Sequence, residues 1–131
     1  MKRILLTCAT AAATLVALSA ADVDLKKIPP ASTKTDVTYA KDIQPIFKKS
    51  CYKCHGEEKQ KGKLRLDSLA AVMKGGEDGE VITAGKSEKS PLIHAVSGAV
   101  EDGLMPPDGK GDPLTKEQIG LIRAWIDQGA K

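Results

Sequence analysis

From position 38 onward the apolar residues fall at helical intervals. Tyr39, Ile43, Ile46 and Phe47 are spaced four, three and one apart, which gathers them on one face of a helix. Pro45 lies inside this run. Its ring deletes a helical hydrogen bond and crowds the preceding turn, so the pattern predicts a kink there or a helix start just upstream. Near the other end Ile119, Ile122, Trp125 and Ile126 form a second stripe. Thr115 stands before it as an N-cap, Gln118 completes a capping box, and Gly129 marks the stop. Gly120 inside this helix costs about 1 kcal/mol against alanine, and close approach of another helix backbone is the expected reason for it. Two shorter helices are predicted between these: 69–74, capped by Asp67-Ser68 and halted by Gly75-Gly76, and 88–96, with Pro91 in its first turn. Alternating strand patterns and internal repeats are both missing from the sequence. The expected fold class is all-α, with long connecting loops.

The first 21 residues read differently. Lys2 and Arg3 precede a nearly unbroken apolar run over 4–20, and Ser19-Ala20-Ala21 supplies small residues at its end. This is the pattern of a secretory signal peptide, with cleavage expected after Ala21 and export to the periplasm. An uncleaved membrane anchor is the alternative, because the run is almost long enough to span a bilayer. Residues 22–37 are polar, contain Pro29-Pro30, and read as a flexible or extended leader ahead of a domain over 38–131. Without Lys2 and Arg3, 18 basic residues face 17 acidic ones. That balance gives no ground for a nucleic-acid or membrane-surface partner.

Removing the signal also removes Cys8 and leaves two cysteines, Cys51 and Cys54. With Phe47, Tyr39, Tyr52 and Trp125 as its aromatics, the domain has modest material for a core, and a large apolar prosthetic group would supply interior. Cys51-Tyr52-Lys53-Cys54-His55 is a C-x-x-C-H pattern, which reads as a c-type haem attachment site. Two thiols one helical turn apart can add to the two vinyl groups of one haem, and the next histidine is then held beneath the iron. A thioredoxin-type disulfide would need a strand context, and a zinc site would need a second ligand pair.

Met105, His94 and Met73 are the candidates for the far side of the iron. Met105 lies between Gly103-Leu104 and Pro106-Pro107, in a loop that the prolines restrict. His94 also reads as an ordinary half-buried histidine, and Met73 as core filler on a helix. Cys51 to Gly56, Gly62-Lys63-Leu64-Arg65-Leu66-Asp67-Ser68, Leu104-Met105-Pro106-Pro107 and Trp125-Ile126-Asp127-Gln128-Gly129-Ala130 resemble the planctomycete-type branch of the class I cytochrome c fold. The resemblance implies haem c on Cys51, Cys54 and His55, with Met105 as the distal ligand. It also implies crossed N- and C-terminal helices, with Phe47 and Trp125 matching the places of the crossing and Gly120 at or near it.

The expected function is a monomeric one-electron carrier and not an enzyme. The rival readings are a haem domain whose sixth position opens, acting as a peroxidase-like enzyme or gas sensor, and an electron-entry subunit of a larger oxidoreductase. Lys48, Lys49, Lys53, Lys59, Lys61 and Lys63 surround the motif and would suit an acidic redox partner, although Glu57 and Glu58 lie among them and charge runs are often plain solvated surface. The acidic run over 77–80 lacks the ligand spacing of an EF-hand and reads as a surface turn.

Overall fold

The structure is a computed structural model that describes residues 22–131; the expected signal peptide lies outside the described residues. Four α-helices form the body: α1 Gln44–Ser50, α2 Leu69–Lys74, α3 Pro91–Ser97 and α4 Lys116–Asp127. Short 3-10 turns at Leu25–Lys27, Lys61–Lys63 and Ser87–Lys89 punctuate the loops. Among the described residues there is no strand, only the isolated bridges His55–Gln60 and Gly76–Gly79. The expected all-α class is what the structure shows. No helix of the described residues is long and apolar enough to cross a membrane.

Pro45 acts as its chemistry requires. The chain enters through a π-helical turn, Tyr39–Ile43, and α1 begins at Gln44 with the proline in its first turn. There the missing N–H costs nothing, because the first amides of a helix have no partner inside it. Helix α2 starts on Ser68, whose hydroxyl accepts the Ala71 N–H, and stops at Gly75 with φ 77°. Helix α3 starts at Pro91, later than the expected 88, because residues 87–89 tighten into a 3-10 turn. Both halves of the α4 capping box are made: Thr115 Oγ1 accepts the Gln118 N–H at 3.1 Å, and Gln118 Oε1 accepts the Thr115 N–H at 2.9 Å.

Helix α4 packs against α3, the 87–89 turn and the π-helical turn. Its predicted stripe, Ile119, Ile122, Trp125 and Ile126, is buried, as are Ile43, Phe47, Val72, Ile93 and Val96. Trp125 meets Phe47 edge-on at 6.5 Å and Tyr39 at 5.9 Å. Burying such large side chains is the chief apolar gain in a domain this small. The Trp125 indole N–H donates to the Lys131 main-chain oxygen at 2.9 Å, and the Tyr39 amide donates to the same residue at 2.8 Å.

Gly120 meets something other than the expected helix. A Cβ there would lie 2.8 Å from the Pro30 carbonyl oxygen, so the glycine admits the segment before the domain, not a crossing helix. That segment runs along α4. Ser32 N–H donates to Gly120 O at 2.9 Å, and the Arg123 guanidinium reaches the Pro29 carbonyl. Gln128 holds it further on, donating to Lys34 O at 2.8 Å and accepting from Val37 N at 3.1 Å. Arg123 is itself buried, bonded also to Ser87 Oγ and Glu88, while Asp127 accepts from both the amide and the hydroxyl of Ser87.

Candidate functional site

Helix α1 ends at Cys51, and the chain continues in tight turns through His55. Cys51 O accepts the amides of Cys54 at 3.1 Å and His55 at 2.9 Å, so the two thiols and the imidazole sit on one compact turn. The carbonyls of that turn are then tied outward. Cys54 O accepts the Lys61 amide at 2.9 Å, and His55 O accepts the Leu66 amide at 2.8 Å. The Leu66 carbonyl in turn receives the phenol of buried Tyr39 at 2.7 Å. Tyr39 and Leu66 thereby fix the backbone under His55, a role that their apolar spacing did not announce. Burial raises the Tyr39 phenol well above its ordinary range, so it stays a donor.

Cys51 and Cys54 form no disulfide with each other, and both are half-buried. Burial pushes the Cys51 thiol up to about 11, which keeps it protonated near neutral pH. His55 Nδ1 is buried without a hydrogen-bond partner, and so is the Tyr52 hydroxyl. A buried ring nitrogen left without a partner costs roughly 1–3 kcal/mol. Two free thiols beside an uncommitted imidazole make a donor set that fits haem.

The three candidates for the distal position differ in their surroundings. His94 is in α3, with Nε2 engaged at 2.6 Å by the Glu88 carbonyl. Met73 is 39% exposed on α2, which corrects its reading as core filler. Met105 lies in a loop, as expected, and is 40% exposed. Its amide donates to Ala95 O at 3.0 Å, which ties the loop to α3.

All six lysines near the motif are exposed, and none forms an ion pair among the described residues. They are not equivalent. The acidic turn packs against the Lys61–Lys63 turn through the Glu77 amide, which donates to Gly62 O at 2.8 Å. Gly76 allows this approach, since a Cβ there would fall 2.6 Å from the same oxygen. The turn that carries Glu77, Asp78 and Glu80 is thereby joined to the one that carries Lys61 and Lys63, whereas Lys48 and Lys49 stand on α1 and Lys53 within the motif. A surface cleft beside the motif is lined by Tyr52, Lys53, Gly56, Glu57, Glu58, Lys59 and Asp67 and includes neither thiol.

No curated protein and no solved structure matches the chain. A family model described as planctomycete cytochrome C matches residues 51–109, a stretch that begins on Cys51 and takes in Cys54, His55 and Met105. Over residues 51–109 the chain is similar to the planctomycete cytochrome C family.

Proposed function

We propose that the chain is an exported mono-haem electron carrier. Cys51 and Cys54 would hold the haem through thioether bonds, and His55 and Met105 would be the ligands to its iron. The observation that carries this reading is the turn of two free thiols and an imidazole without an Nδ1 partner, at the start of the family match. The two thiols would supply both the sulfur and the proton that such an addition to a vinyl group requires. The bound group supplies a one-electron redox couple. The Met105 thioether, a neutral soft donor, favours the ferrous state and raises the reduction potential. The Tyr39–Leu66–His55 chain keeps the imidazole backbone in place. Lys48, Lys49 and Lys53 offer an acidic redox partner a docking surface, with the chain working as a monomer in the periplasm.

The test is to express the full chain with its export signal in a host with haem-maturation machinery. The expected product carries one covalently bound haem and shows the far-red charge-transfer band of methionine ligation when oxidised. Met105→Ala keeps the haem, loses that band and has a lower potential. A haem-free folded product would refute the reading.

The exposure of Met105 favours a second reading, in which the sixth position opens and small ligands bind. Rapid carbon monoxide binding by the reduced parent protein would select it.

A further inference from the structure

The segment of residues 24–32 is fastened at two places. On α4, Pro29 O is held by buried Arg123, and Ser32 N by Gly120 O, where the glycine leaves no room for a side chain. At its other end Asp24 N–H donates to Ala99 O at 2.8 Å. Between these points the Asp24 carboxylate caps the Leu25–Lys27 turn by accepting the Lys26 amide at 3.1 Å, and Pro29 is buried.

Ala99 is the informative anchor. It is 2% exposed and begins the loop that leaves α3 at Gly98, in the left-handed region with φ 65°. The same loop ends on Met105. Ala99 N is bonded back to His94 O at 2.9 Å, Gly103 N to Val100 O at 3.2 Å and Met105 N to Ala95 O at 3.0 Å. All of these bonds lie within α3 and its own loop. Among the described residues the Asp24 bond is the one main-chain hydrogen bond that ties the loop to a distant part of the sequence, and through Pro29 and Ser32 to α4.

We propose that residues 24–32 form a strap that positions the Met105 loop, so that the segment before the domain sets how firmly the distal ligand is held. This rests on the reading of Met105 as the distal ligand. Asp24, Pro29, Ser32, Gly120 and Arg123 are then positioning residues. The strap limits the excursions of Ala99, and a loop with one anchor fewer releases its methionine more often.

The experiment uses the exported, haem-loaded full chain. Asp24→Pro deletes the amide donor at a backbone angle, φ −79°, that proline accepts. Asp24→Asn keeps both the amide and the side-chain acceptor and is the control. Three quantities are read: the far-red band of the ferric protein, the rate of carbon monoxide capture by the ferrous protein, and hydrogen exchange at the Met105 amide. In Asp24→Pro, capture and exchange are expected to rise roughly three- to tenfold, the range set by one lost hydrogen bond. Asp24→Asn is expected to behave as the parent. Gly120→Ala, which presses on the strap at its other anchor, is expected to move all three readouts in the same direction. If Met105→Ala abolishes the band but Asp24→Pro and Gly120→Ala match the parent in all three readouts, the strap is refuted and the ligand reading stands. If Met105→Ala leaves the band intact, the ligand reading falls and the inference falls with it.

Discussion

Gly120 and Pro30 are closer than any other residue at position 120 would permit. The carbonyl oxygen of Pro30 lies 2.8 Å from where a Cβ would stand. In an exposed helix Gly→Ala gains about 1 kcal/mol. Here the sign reverses: Gly120→Ala forces the strap off α4 and is expected to cost roughly 1–3 kcal/mol, as overpacking does. Thermal denaturation of the two proteins checks it, and a more stable alanine variant would show that the segment yields freely.

Tyr39→Phe removes the phenol that bonds Leu66 O while keeping the ring against Phe47 and Trp125. A buried carbonyl is left without its donor, so the variant is expected to lose about 1–2 kcal/mol. Because Leu66 also holds the His55 carbonyl, hydrogen exchange at the Leu66 amide should rise. Equal loss of stability with no change at that amide would separate Tyr39 from the site.

Acid should weaken the start of the helical body. The Lys34 ammonium and the Thr38 amide hold the Asp42 carboxyl below the usual carboxylate range. A group depressed in the folded state contributes stability above the ordinary value of about 3.9, and loses it as pH falls through the lowered one. Asp42→Asn is therefore expected to be less stable than the parent at neutral pH, with the difference shrinking in strong acid. Urea titrations at pH 7 and pH 2 measure both.

The lysines divide into two groups. Lys53→Glu should slow oxidation of the reduced protein by ferricyanide severalfold at low salt, and the effect should fade as salt is added. Lys63→Glu should do much less, because the acidic turn already lies beside it. Stopped-flow rates for the two variants test the distinction, and equal slowing would erase it.

Much of this was legible wherever the signal was local. Helix α4 announced itself because its stripe, capping box and terminal glycine all lie within fifteen residues. The C-x-x-C-H pattern was legible for the same reason: its spacing is its chemistry. What escaped was built from backbone groups distant in sequence. Gly120 was correctly read as a point of close approach, but nothing near it could say that Pro30 was the visitor. Arg123 lies beside the predicted stripe, and the partners that bury it, Pro29, Ser87 and Glu88, are distant in sequence. The Tyr39–Leu66–His55 chain hid in the same way, since two of its three links are main-chain atoms that carry no residue identity.

The Lys131 main-chain oxygen, which receives both the Tyr39 amide and the Trp125 indole, brings the start and finish of the helical body within one hydrogen bond of each other. Topologically that body is a ring with a seam. A short linker across the seam would join its ends with little rearrangement, and new termini could open in an exposed loop such as 108–112. The order in which the chain presents its helices is therefore less constrained than the contacts among them.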